Sequence, residues 1–82
     1  MDVKKGQIAA SKAGHDDGRF FIVTEVKDGY AYIADGKERK LSSPKKKNPK
    51  HLAKTNTVVS IPKTDKSLRK LLSDYSTVIQ ED

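Results

Sequence analysis

Two Asp-Gly pairs, Asp28-Gly29 and Asp35-Gly36, divide the first half of this chain into short runs rich in β-branched and aromatic residues. Asp-Gly between two such runs is the favoured sequence of a two-residue hairpin turn, because both turn residues need a positive φ angle. The pattern therefore predicts a meander of short antiparallel strands. The expected strands are residues 3–11, 19–26, 30–34 and 37–41, the last being a charged edge strand.

The length of the chain limits what this meander can become. In 82 residues a single small sheet has to curl on itself to bury an apolar face. The strand over 19–26 is apolar on both faces near its start, where Phe20 and Ile22 alternate with Phe21 and Val23, so we expect that end to be covered on both sides.

The second half of the sequence predicts three further segments. Residues 42–50 read as an irregular basic loop, because two prolines oppose helix and the lysines repel one another. His51 to Asn56 is expected to return the chain to the sheet through Leu52, and residues 58–61 are expected to form a short strand or an apolar anchor. A helix over 65–75 carries an apolar stripe and is capped by Thr64 or Asp65. The expected domain layout is a mostly β barrel over 1–60, a helical segment over 61–75 packed on it, and a flexible tail over 76–82.

Several classes of function are disfavoured by composition. The chain has no cysteine and only two histidines, so a disulfide scaffold, a thiol nucleophile and a histidine-based metal site are not expected. His15 adjoins Asp16 and Asp17, but a polar turn explains this trio better than catalysis or metal ligation does. We therefore expect no enzyme, no cofactor, no metal and no small-molecule substrate. No apolar run is long enough to span a membrane and no signal peptide is recognisable, so a cytoplasmic location is expected.

The charge is unevenly distributed along the chain. The total is +6, yet residues 37–70 alone carry +10, whereas the segments on either side are slightly acidic. A cluster of this kind indicates a polyanionic partner. Lysines outnumber arginines fourteen to three, which favours point-charge contacts with phosphates over bidentate recognition of bases.

A set of spaced glycines gives a more specific indication. Gly6, Gly14 and Gly18, together with Ile8 and Val23, resemble the KOW motif, which joins two strands of a small barrel by a glycine-containing loop. Phe21 stands where many KOW sequences have a third glycine. Residues 4 to about 60 are similar to the eukaryotic and archaeal large-subunit ribosomal protein fourteen family and to its small bacterial KOW-domain RNA-binding relatives. The resemblance implies an SH3-like barrel that binds structured RNA, most of all ribosomal RNA, in translation.

The candidate RNA-binding residues are the cations and loop glycines of this region. They are Lys12, Gly14, His15, Gly18, Arg19, Lys37, Arg39, Lys40, Lys45, Lys46, Lys47, Lys50 and Lys54. The loop glycines could instead serve only to close a turn. Tyr30 and Tyr32 could stack on an unpaired base, or could cap the core or receive the helix. Two other functions remain open at this point, namely a protein-interaction module for a transcription or translation partner and a nonspecific DNA-binding protein.

Overall fold

The computed structural model describes residues 3–12 and 18–80. They form a mostly β domain with one C-terminal helix, as the sequence predicts. The strands are β1 (Gln7–Ser11), β2 (Phe20–Lys27), β3 (Tyr30–Ala34), β4 (Lys45–Lys47) and β5 (Leu52–Val58), with a 3-10 turn at Pro49–His51 before β5 and the helix α1 at Asp65–Gln80. The sheet is antiparallel, with the strand order β4-β3-β2-β1-β5.

Each face of this sheet contributes to a separate apolar cluster. One cluster lies on a single face of the sheet and comprises Val3, Ala9, Phe21, Val23, Ala31, Ile33 and Leu52. On the other face, Leu68 and Leu72 of α1 pack over Ile8, Ile22 and Ala34. The expectation that the start of β2 is covered on both sides is therefore confirmed.

The connection between β4 and β5 requires the sheet to be curved. These two strands are its opposite edges, and four strand spacings would separate the edges of a flat sheet by about 19 Å. Only residues 48–51 join them, and Pro49–His51 is a 3-10 turn, which rises only about 2 Å per residue. So short a link cannot span about 19 Å. The sheet must therefore curl around its first apolar cluster, which brings its two edge strands closer together.

The first Asp-Gly pair forms the predicted hairpin. Asp28 and Gly29 have φ angles of 53° and 80°, the positive values that a type I′ turn requires. Lys27 and Tyr30 therefore lie directly opposite each other at the end of β2 and β3.

The second Asp-Gly pair behaves differently, and the edge strand predicted over 37–41 is wrong. The Asp35 carboxylate accepts hydrogen bonds from the backbone N–H groups of Lys37 (2.9 Å) and Arg39 (3.0 Å). These donors would serve a strand, so the side chain holds the segment as a turn instead. We call residues 35–41 the Asp35 turn. Its Leu41 N–H also donates to the Asp65 carboxylate at the start of α1, at 2.8 Å.

Other predicted bounds also need correction. The fourth strand lies at Lys45–Lys47, within the segment predicted to be an irregular loop, because these lysines pair with β3. Strand β1 begins at Gln7 rather than at residue 3. Strand β5 includes only the first residue of 58–61, and Val59 and Ile61 instead pack against the apolar cluster under α1, as the anchor alternative predicts.

The helix is longer than the sequence pattern indicated. Thr64 caps it as predicted, since its hydroxyl accepts a hydrogen bond from the Ser67 N–H at 3.1 Å. It continues to Gln80, because no glycine or proline ends it earlier. A flexible tail beginning at residue 76 is therefore wrong for residues 76–80, and residues 81–82 lie outside the described range.

Candidate nucleic-acid interface

Five lysines lie on β4, the 3-10 turn and the start of β5, and we call them the lysine edge. They are Lys45, Lys46, Lys47, Lys50 and Lys54. No aspartate or glutamate occurs in the sequence between Glu38 and Asp65. The lysine edge therefore has no acidic neighbour along its own stretch of chain.

The three lysines of β4 alternate in their surroundings. Lys45 and Lys47 pair with Ile33 and Ala31 of β3, which are buried, and are themselves half-buried. Lys46 is exposed, pairs with Tyr32, and places its ammonium 4.4 Å from the centre of the Tyr30 ring. Of these three candidate RNA-binding residues only Lys46 is therefore fully on the solvent side, because strand pairing turns the other two toward the core side.

Lys12 lies beside this region although it is distant in sequence. Its backbone N–H donates to the carbonyl of His51 at 2.8 Å, and the Lys12 side chain is exposed, like those of Lys50 and Lys54. Gly18, which precedes β2, donates its backbone N–H to the carbonyl of Ser11 at the end of β1, at 2.8 Å. This hydrogen bond joins the two strands at the base of the predicted 12–19 loop. The remaining predicted loop residues, Gly14 and His15, lie outside the described residues.

The other predicted cations surround the Asp35 turn, where carboxylates are present. Arg19 forms ion pairs with Glu38 at 2.7 Å and with Asp35 at 3.4 Å. Asp35 is buried, and Arg39 is half-buried beside it. Lys37 and Lys40 are exposed. The structure thus divides the predicted binding residues between the lysine edge and a turn in which a buried acid organises the chain.

A cleft of about 370 Å³ separates the Asp35 turn from α1. Arg19, Lys37 and Arg69 line it, together with hydroxyl groups of the helix. The Arg69 guanidinium donates to the Gly36 carbonyl at 2.7 Å, and Arg19 is held by the two carboxylates. Because both arginines bind protein acceptors, the lysine edge rather than this cleft is the candidate nucleic-acid interface.

The two tyrosines of β3 lie on the sheet face opposite Ala31 and Ile33, as predicted. Tyr30 is 39% exposed and Tyr32 is half-buried. Neither belongs to the apolar cluster under α1, where Tyr75 packs edge-on against Phe20 at 5.3 Å between ring centres. The alternative in which these tyrosines receive the helix is therefore wrong.

Lys27, which lies on the same sheet face as Tyr30 and Tyr32, is not among the site residues predicted from sequence. It is exposed and lies directly opposite Tyr30. The available signal was the Asp28-Gly29 turn itself, since a two-residue hairpin pairs the residue before the turn with the residue after it.

Among residues 3–12 and 18–80, no group of three or more potential ligand side chains could hold a metal ion. Over the same ranges, the helix is neither long nor apolar enough to cross a membrane. In comparisons with known proteins, no protein-family model matches the chain and no curated protein is significantly similar to it.

Proposed function

We propose that this protein is a non-enzymatic RNA-binding module that recognises structured RNA, and ribosomal RNA in particular, through phosphate contacts in translation or ribosome assembly. The observation that carries the proposal is the lysine edge, a run of cations on an exposed border of the sheet whose stretch of chain holds no acid. The ribosomal context comes from the KOW resemblance alone.

The described fold supports the barrel that this resemblance implies. The strand order β4-β3-β2-β1-β5 and the short 3-10 link between the two edge strands are compatible with an SH3-like barrel of the KOW type. The curvature that the link imposes brings the lysines of β4 toward the start of β5. A curled sheet therefore gathers onto one side cations that a flat sheet would separate.

The mechanism follows from the type of cation present. An ammonium group neutralises a phosphate without requiring a fixed planar geometry, so lysines favour backbone and shape recognition over base reading. Each neutralised phosphate releases condensed counterions, which makes the affinity strongly salt-dependent. With roughly six phosphates engaged, the logarithm of affinity is expected to fall with the logarithm of salt concentration at a slope of about −4 to −5.

A charge-matched pair of variants tests the location of the interface. Lys46, Lys50 and Lys54 are exposed members of the lysine edge, whereas Lys5, Lys63 and Lys66 are exposed lysines elsewhere. Replacing the first three by glutamine is expected to reduce the steepness of the salt slope by about 2 to 3. Replacing the second three removes the same charge and is expected to leave the slope nearly unchanged.

Binding to a folded ribosomal RNA fragment, measured by fluorescence anisotropy at several salt concentrations, is the readout. Equal losses in the two variants would show that only net charge matters and would refute the assigned surface. Equal affinity for duplex DNA and structured RNA would favour the DNA-binding alternative. A stoichiometric protein partner that survives nuclease treatment would favour the protein-interaction module.

A further inference from the structure

Tyr30 lies between two lysines on an open part of the sheet. The strand register places Lys27 of β2 directly opposite it. On the other side, the Lys46 ammonium lies 4.4 Å from the centre of its ring. Directly opposed residues have Cβ atoms about 5 Å apart, so Lys27 borders the ring, and the ring contact places Lys46 there as well although it pairs with Tyr32.

Tyr32, on the same face, has different neighbours. It pairs with Glu25 on β2 and with Lys46 on β4, and it is half-buried. The Glu25 carboxylate opposes the approach of a phosphate, whereas Lys27 attracts one. The β4 pairing also ends at Ala31, so no residue of β4 lies directly opposite Tyr30 in the described ladder. Tyr30 is therefore the better placed ring for a nucleotide.

The helix leaves this end of the sheet uncovered. Leu68 and Leu72 of α1 pack over Ile8, Ile22 and Ala34. Ala34 is at the opposite end of β3 from Tyr30. The face that carries both tyrosines is thus divided into a half that the helix buries and a half that remains accessible.

The relative strengths of the contacts favour a base over the present contact with Lys46. An exposed cation–π contact changes an equilibrium by only about two- to five-fold. A base stacked on an aromatic side chain contributes about five- to one-hundred-fold. A nucleotide can therefore displace the Lys46 ammonium from the ring, and that ammonium is then free to contact the phosphate of the same nucleotide.

We propose that Tyr30, Lys27 and Lys46 form a site for one unpaired nucleotide, with the base stacked on Tyr30 and its flanking phosphates bound by the two lysines. Asp28 in the adjacent turn and Glu25 opposite Tyr32 add two carboxylates, but the groups that border the Tyr30 ring itself are the two lysines. This inference rests on the proposed RNA-binding function and narrows it to RNA in which an unpaired nucleotide adjoins a helix. A continuous duplex keeps its bases stacked internally and offers none to the ring.

Two RNA hairpins test this inference in the full chain. They have the same stem, and one contains a single bulged 2-aminopurine, whose fluorescence is quenched on stacking. We expect the bulged hairpin to bind about ten-fold more tightly, with quenching on binding. Tyr30→Leu is expected to abolish both effects, whereas Tyr30→Phe, which keeps the ring, is expected to retain them.

The lysine that flanks the ring has its own matched control. Lys27→Gln is expected to reduce the preference for the bulged hairpin, whereas Lys66→Gln on α1 is expected to leave it unchanged. Equal binding of the two hairpins by the unmodified protein would overturn the inference, and so would a preference that survives both Tyr30→Leu and Lys27→Gln. In either case binding of the hairpins would leave the proposed RNA-binding function standing, whereas binding of neither hairpin would count against that function itself.

Discussion

The lysine edge and the Asp35 turn lie close together in sequence and both contain several cations, yet only the turn also contains carboxylates, and the two regions use their charges differently. In the Asp35 turn, a buried carboxylate accepts from two backbone N–H groups and from the Arg19 guanidinium. In the lysine edge, the Lys46 ammonium lies over an aromatic ring, 4.4 Å from its centre. Arg19 beside its two carboxylates helps to hold the fold, whereas Lys46, Lys50 and Lys54 are exposed on a surface that a polyanion can reach.

The backbones of the two Asp-Gly turns also differ in whether they pack against the rest of the fold. Gly29 has open space where a side chain would begin, whereas a Cβ on Gly36 would lie 2.5 Å from the Asp65 carbonyl oxygen. The first turn is an exposed hairpin end beside Tyr30, and the second is packed against the start of α1. The comparison therefore predicts that substitutions destabilise the protein more in the Asp35 turn than in the first turn.

The largest expected effect is that of Gly36→Ala. Both glycines have a positive φ, of 81° at Gly36 and 80° at Gly29, which costs an alanine about 1–2 kcal/mol. At Gly36 the collision with backbone adds a further overpacking cost, for a total of about 2–5 kcal/mol. Urea unfolding of Gly36→Ala and Gly29→Ala measures the difference. Equal destabilisation would show that α1 does not press on the Asp35 turn.

The next effect concerns the buried acid. Asp35→Ala removes the acceptor of the Lys37 and Arg39 N–H groups and one partner of Arg19, and we expect a loss of about 2–3 kcal/mol in the free energy of unfolding. Glu38→Ala breaks an exposed ion pair with the same arginine and is expected to cost no more than about 1 kcal/mol. If both variants unfold at the same urea concentration, Asp35 is not the organising residue.

Local chemistry explains why the sequence predicts one turn correctly and not the other. Asp28-Gly29 lies between β2 and β3, and no other element packs against Gly29. Turn propensity alone therefore determines this hairpin. At Asp35-Gly36 the same dipeptide meets α1, which lies almost thirty residues further along the chain. That long-range contact and the acceptor role of the Asp35 side chain have no signal in the local pattern.

The features of the candidate site also divide into those that local sequence predicts and those that depend on long-range contacts. The sequence leaves the exposure of Tyr30 open, because α1 covers Ala34 on the same face of β3 and nothing local shows where the helix packs. The clustering of lysines could be predicted from sequence, because charge is a local property. The strand at Lys45–Lys47 could not, since three consecutive lysines have low β propensity and their pairing depends on the neighbouring β3. Likewise, nothing in the sequence shows that Arg19 is engaged by Asp35 and Glu38.

The smallest expected effects come from single cations in each region, and they separate binding from stability. Lys50→Gln is expected to weaken RNA binding about five-fold and to reduce the steepness of the salt slope by about 0.9, with the free energy of unfolding unchanged within about 0.5 kcal/mol. Arg19→Gln is expected to lower stability by about 1 kcal/mol, because it removes the ion pairs with Asp35 and Glu38, and to leave the salt slope unchanged. Anisotropy titrations and urea unfolding of both variants provide the two readouts. Should Arg19→Gln flatten the salt slope as much as Lys50→Gln does, the Asp35 turn would also contact RNA, and the division between fold-holding and RNA-binding cations would be wrong.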